Sequence, residues 1–423
     1  MYSIKNIRNI GFISTRLKGT DGVSLETEKW VDVLEKMRYN CFFFAGEADW
    51  PPERTMVEPL AHYLHPKIQE LHSHFFGTKT RSYKVTDKIH ELRVIYKTAL
   101  YQFIDAFKID MIIVENALSI PVNIPLGLAI TEFIAETNIP AVGHHHDFYW
   151  ERERFMVNCV NDYINMAFPP SLNSLHHVVI NTEARKMLSY RRGLSSLVIP
   201  NVFNYDREPP GIDDYNKDVR RDLGLNEEDI IFLQPTRIVQ RKGIESAIEV
   251  IHRLKDPRIK LVITHSAKDE GKEYYKRVLS YAELMNVPVV IKPSIFSDKR
   301  STGPNGEKIY SIWDIYPHAD FITYPSSYEG FGNAFLEAIF FKKPILVNRY
   351  SIYQQDIEPV GFEVVAMNNY VNNRVVEEIK NLIGNPQKVE EMTEKNYHLA
   401  SRFFSYEVLE QKLKTILVNY GQV

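Results

Sequence analysis

Ten short apolar runs separated by amphipathic stretches constrain this chain more than any other feature. In the first half they are NIGFIS, NCFFFAG, IDMIIVEN, IPAVGHHH and HHVVINT; in the second they are DIIFLQPT, IKLVITH, VPVVIKP, ADFITYP and KPILVN. Runs this short that stay apolar on both faces suit strands buried from both sides. The stretches between them leave room for covering helices, so the spacing predicts parallel sheets of the α/β class. Helices are predicted over residues 25–38, 126–137, 244–254 and 272–285. The proline-bearing segment IPNVFNYDREPPG, residues 199–211, divides the two series and reads as a linker. Two Rossmann-like domains facing each other across a cleft are expected, residues 1–200 and 201–405. A last helix over 406–420 is able to pack on either domain and is grouped, as 406–423, with the first. Residues 47–88 are less regular and read as an insertion over the cleft, and SDKRSTGPNGEKIYS reads as an exposed loop.

With 423 residues, 44% of them hydrophobic and 25% charged, each half has enough chain to bury its own core as a soluble globular domain. A net charge of −3 provides no general attraction for nucleic acid, so any anion must be held by locally placed Arg and Lys. Cys41 and Cys159 are too few for a disulfide framework or a cysteine-rich metal site, and they read as small core residues in a reducing compartment. The first residues lack a signal-peptide apolar core, and no run reaches the roughly 20 apolar residues of a membrane span. A cytoplasmic protein without integral membrane contact is expected.

Four stretches carry candidate chemistry, and each follows an apolar run where α/β sheets bind ligands. In FITYPSSYEGFGNAFLEAIFFKKPILVN, Glu329 lies in a loop with Gly330, Phe331 and Gly332, and Asn333 reads as the cap of a helix carrying Glu337. The glycines allow close backbone approach and the helix start offers N–H groups to an anion. Two carboxylates at different depths suit a ligand with two sugar rings and phosphate between them. In QPTRIVQRKGIESAIEVI, Arg237 and Lys242 flank a turn and could neutralise a pyrophosphate leaving group; Arg241 has the weaker claim and is placed toward solvent. In AVGHHHDFYWERERF, successive side chains of an extended chain alternate between faces, which disfavours a three-histidine metal site. His146 is expected to reach a polar ligand, while Asp147, Arg152 and Arg154 either contact an acceptor or pair locally. STRLKGTDGVSLETEKW has Gly19 and Gly22 before a helix beginning near Ser24, without the GxGxxG of a dinucleotide site.

Taken together, RIVQRKGIESAIEVI followed by YPHADFITYPSSYEGFGNAFLEAIFFKKPILV resembles the nucleotide-sugar domain of family-4 retaining glycosyltransferases of the GT-B fold. The likeness extends more loosely through DGVSLE and HHHDFYWERERF, and the stretch from HHHDFYWERERF to NDYINMAFPP is most similar to the mannosylglucosylglycerate synthase branch. The resemblance implies that Glu329 binds donor-hexose hydroxyls and Glu337 the ribose. Arg237 and Lys242 would bind the diphosphate with backbone N–H groups at Gly330 and Phe331. His146 would contact the transferred sugar, and Gly22 would lie near the phosphates or acceptor. It implies a nucleotide-diphosphate sugar donor, a small sugar or sugar-acid acceptor, no cofactor, and usually no metal for diphosphate binding. GDP-mannose and glucosylglycerate are the expected pair, a compatible-solute synthesis, with UDP- or ADP-glucose as the rival donor. A homo-oligomer stays open, as do a sugar-nucleotide epimerase, a phosphorylase and a non-catalytic sugar-binding protein. Thr236 where the family often has Gly, HSA at residues 265–267, and FFKKP depart from the family pattern.

Overall fold

The computed structural model describes residues 7–19, 21–265 and 272–421. The chain divides into two compact units, Met1–Asn201 with Tyr406–Val423, and Val202–Ser405.

The first unit is built on seven strands: β1 (Asn9–Ile13), β2 (Asn40–Ala45), β3 (Thr55–Val57), β4 (Met111–Glu115), β5 (Ala141–His145), β6 (Leu175–Val179) and β7 (Ser196–Val198). They lie in the order β3-β2-β1-β4-β5-β6-β7, and every pairing is parallel. β4 and β5 are buried along their whole length, as runs covered on both faces must be. The Ile124–Thr137 helix is apolar almost all round and packs against the long Tyr83–Phe107 helix, forming a second layer over the sheet. The Tyr406–Gly421 helix belongs to this unit: the Tyr420 hydroxyl donates to the Ala141 and Ser174 carbonyls and accepts from the His176 N–H.

The second unit has a six-stranded parallel sheet formed by β8 (Ile230–Gln234), β9 (Ile259–Ile263), β10 (Val289–Ile291), β14 (Phe321–Tyr324), β15 (Ile345–Asn348) and β16 (Val365–Met367). Their order is β10-β9-β8-β14-β15-β16. The Ile244–Leu254 helix buries Ile244, Ala247, Ile248, Ile251 and Leu254, a single stripe at helical spacing that faces the sheet. Between β10 and β14 a small separate sheet joins β11 (Phe296–Ser297), β12 (Ser301–Thr302) and β13 (Lys308–Ser311).

Two sequence expectations change here. The segment read as an exposed loop forms the β12–β13 antiparallel pair, closed by a turn through Gly303–Gly306. Residues 47–88 are not a wholly irregular insertion: Thr55–Val57 extends the main sheet as β3, and Pro66–Ser73 is a helix. Strands of three residues, half-buried at a sheet edge, bury too little apolar surface to leave a sequence signal.

In both sheets the strand order reverses once. The chain passes from β1 to β2 and β3 on one side, then places β4 on the other side of β1; β8 and β14 repeat that arrangement. These are the topological switch points beyond whose carboxyl ends α/β sheets bind ligands.

Candidate active site

Beyond the carboxyl ends of β8 and β14, the turn carrying Lys242 meets the loop carrying Glu329. The Ser327 N–H and hydroxyl both donate to the Arg241 carbonyl, at 2.8 and 3.2 Å, so backbone stitches turn to loop. Lys242 Nζ donates to Glu329 Oε1, and Arg241 donates to Glu329 Oε2 at 2.8 Å and to the Tyr328 carbonyl at 3.1 Å. Glu329 and Lys242 are buried, at 7% and 8% exposure, so neither charge is satisfied by solvent. Burial pushes the Glu329 carboxyl up, but Lys242 and Arg241 outweigh it and hold the group below its ordinary range. Burial draws the Lys242 ammonium below its ordinary range against the opposing pull of Glu329. Arg241 therefore does not point freely to solvent, as the sequence suggested; the buried carboxylate recruits it. Arg237 is exposed and forms no ion pair among the described residues, yet lies close enough to Lys242 to disfavour its charge. Two cations on one carboxylate, with Arg237 near Lys242, leave a net positive seat at this strand end.

Asn333 is not the helix cap. The helix is Asn333–Phe340 and its cap is Gly332, which has no side chain to bond the first turn. Gly332 adopts φ +143°, and a Cβ there would stand 2.8 Å from the Tyr350 hydroxyl, which donates to the Phe331 carbonyl at 2.6 Å. Only glycine suits that backbone. Gly332→Ala should destabilise this unit by on the order of 2 kcal/mol, lowering its melting transition by roughly 4–8 °C. A variant that melts with wild type would show that the loop relaxes without strain. Glu337 lies one turn into the helix and accepts from the buried Tyr316 hydroxyl at 2.8 Å. Thr236 accepts from Gln234 Nε2 at 2.7 Å in the interior. Of the HSA departure only His265 falls within the described residues, and it bonds Thr264.

In the first unit, the helix after β1 begins at Gly22 rather than near Ser24, because the Asp21 carboxylate caps it by accepting from the Val23 and Ser24 N–H groups. Gly22 is exposed, with open space where a Cβ would stand. The three histidines alternate. His144 and His146 face Glu115, at 3.1 Å from Nδ1 and 3.0 Å from Nε2, whereas His145 faces the other way and pairs with His177 at 2.9 Å. His144 also stacks on Trp30, with ring centroids 4.2 Å apart. Burial would raise the Glu115 carboxyl, but the two imidazoles bring it to about 2, and Glu115 in turn raises His146 despite its burial. Asp147 and Arg152 make a local ion pair, and Arg154 is exposed over the Phe155 ring.

Ligand-type atoms of Glu115, His144 and His146 lie within 4.8 Å of one another, a set able to hold a small divalent cation. Alternation places the first and third histidines on one face, and the neighbouring strand supplies the carboxylate that completes the set. Sequence reasoning missed Glu115, Asn116, Tyr316 and Tyr350. A charged residue ending the otherwise apolar MIIVE was the available signal for the first.

Two Rossmann-like units with a cation-ringed carboxylate at one switch point and an imidazole cluster at the other define a GT-B glycosyltransferase, and solved structures agree on the fold. A glycosyltransferase from Rickettsia africae aligns with TM-score 0.69 and 14% identity, covering 98% of this chain and 99% of that one. Sucrose-phosphate synthase from Thermosynechococcus elongatus aligns with TM-score 0.66 and 15% identity, covering 97% and 98%. No family model matches the chain. Mannosylglucosylglycerate synthase from Petrotoga mobilis is 35% identical, with 93% of this chain and 98% of that protein covered. The Thermotoga maritima protein of the same name is 32% identical, covering 93% and 96%. The chain belongs to the mannosylglucosylglycerate synthase family. Among the described residues, no helix is long and apolar enough to cross a membrane.

Proposed function

We propose that the protein is a retaining hexosyltransferase that moves mannose from GDP-mannose to glucosylglycerate, giving mannosylglucosylglycerate. The observation that carries this reading is the end-to-end similarity to synthases named for that product. The site chemistry supports it. A carboxylate has about four acceptor positions, so Glu329 can keep Lys242 and Arg241 and still accept from hexose hydroxyls. Lys242 and Arg237 then face the diphosphate, with the backbone N–H groups of Gly330 and Phe331 ahead of the Asn333–Phe340 helix beside them. Glu337 holds the ribose and His146 contacts the transferred sugar. In the reaction the acceptor oxygen bonds to the anomeric carbon as the bond to the diphosphate oxygen breaks. The acceptor proton passes to the leaving diphosphate on the same face, and no enzyme nucleophile is required. Gly22 lies near the phosphates or acceptor. Arg152, already paired with Asp147, and the exposed Arg154 are the cations of β5's end for the acceptor carboxylate.

A donor-by-acceptor screen read by mass spectrometry tests this. Transfer from GDP-mannose to glucosylglycerate, with the α-anomer retained, is expected. Selective use of UDP- or ADP-glucose, an altered sugar without acceptor, or binding without turnover would each overturn it. Glu337→Ala should weaken binding of the free nucleotide diphosphate tenfold or more, about 1.4 kcal/mol by calorimetry. Unchanged affinity would remove Glu337 from the ribose.

A further inference from the structure

The strand beside the histidine run ends in Glu115, with Asn116 directly after it, and the burial of Glu115 spends free energy that packing does not return. Glu115 is fully buried, and the polar partners the structure gives its carboxylate are two imidazoles, with no Lys or Arg. Burying a carboxylate this way is no better for stability than an apolar pair. Asn116 holds φ +57°, a left-handed conformation that asparagine tolerates better than most non-glycine residues.

What the two residues deliver is orientation. β4 and β5 pair in a register that sets Glu115 beside His144, so the carboxylate reaches that ring and the ring two positions on. Asn116 Oδ1 accepts from the His146 backbone N–H at 2.8 Å, and Asn116 Nδ2 donates to Asp147 Oδ1 at 3.1 Å. The Asn116 N–H donates to the His144 carbonyl at 3.0 Å, and the Ser119 hydroxyl bonds Oδ1 from behind. His146 is thus held at its ring by one residue and at its backbone by the next. Because a carboxylate only accepts, the proton sits on His146 Nε2, and Nδ1 has no hydrogen-bond partner among the described residues.

We propose that Glu115 and Asn116 are a positioning pair that locks the His146 ring and presents its Nδ1 edge to the transferred sugar. This rests on the reading that His146 contacts that sugar. Glutamine at position 115 has one acceptor oxygen and an NH2 donor, so it cannot take both rings as wild type does, and one imidazole must either turn or move its proton to its other nitrogen.

A double-mutant cycle tests the pair, using Glu115→Gln, His146→Ala and their combination, with kcat, both KM values and nucleotide-diphosphate affinity measured on the full chain. The expectation is a tenfold or greater fall in kcat for Glu115→Gln and nucleotide affinity within twofold of wild type. Adding Glu115→Gln to His146→Ala should cost less than twofold more. Equal losses in both backgrounds would reduce Glu115 to a structural group and overturn the proposal alone. If His146→Ala kept wild-type kcat, the sugar-contact reading would fail and the proposal with it. Asn116→Gly accepts the left-handed backbone while removing the side-chain bonds to His146, Asp147 and Ser119, so it probes the pair if Glu115→Gln does not fold; it should lower kcat with His146 present and not in His146→Ala. One equivalent of zinc bound by wild type in equilibrium dialysis and lost in Glu115→Gln would overturn the proposal, since these groups would then be metal ligands.

Discussion

Lys242→Ala is expected to lower transfer roughly a hundredfold or more, the scale of losing one preorganised donor at developing charge, about 2.7 kcal/mol of barrier. The ammonium is the best placed of the three cations for this role. It is buried and tied to Glu329, whereas Arg237 is exposed, so its interaction with a leaving diphosphate is the least screened by water. The fall should appear in kcat with saturating donor, because negative charge grows on the diphosphate only as the glycosidic bond breaks. Arg241 keeps its bond to Glu329 in this variant, so the loop retains an anchor and the melting transition should move little. Lys242→Arg should recover only part of the rate, since a planar fork cannot replace a point charge in a closed pocket. Activity of Lys242→Ala within twofold of wild type would end the leaving-group assignment.

Glu329→Ala is expected to cost about 3 kcal/mol of stability, the lower end for removing one partner of a buried pair. Arg241 is half-exposed and can turn to water, but Lys242 cannot without leaving its pocket. The loss should therefore be repaired in large part by Glu329→Ala with Lys242→Met, which removes the stranded ammonium. The sign with pH follows from the depressed Glu329 carboxyl. Its stabilisation is complete above the ordinary value of 4.5 and is lost as pH falls through the lower folded value, so wild type and Glu329→Ala should converge in acid. Urea unfolding at pH 7 and at pH 3 measures both points. A difference below 1 kcal/mol at pH 7 would show that the trio is dispensable for folding and that Glu329 is free to serve the ligand alone.

Much of the fold was legible because a strand buried on both faces announces itself locally. Every one of the ten apolar runs became a strand of the two main sheets, and residues 244–254 form the helix their spacing predicts. What escaped was marginal in apolar content: β3, β7 and β16 have three residues each, and the small sheet around Gly303–Gly306 carries a turn signature that outweighs its strand signature. Asn333 misled because a good capping residue was available one position after the glycine whose φ the loop requires.

The candidate site was legible in some of its members and not in its pairings. Glu329, Glu337, Arg237, Lys242 and His146 stood out because charged residues following buried strands have few structural reasons to be there. The attachment of Arg241 to Glu329 and of Glu115 to two histidines depends on which strands are neighbours, and strand order is absent from any local pattern. By itself, the sequence determined the α/β class, the two series of strands and the loops that bear chemistry, since burial and turn formation act over a few residues. Only the tertiary structure decided that β14 lies beside β8 and in which register β4 lies beside β5, and so which charges meet. Those contacts join residues 29 to 88 positions apart, and burial of the sheets, not proximity along the chain, brings them together.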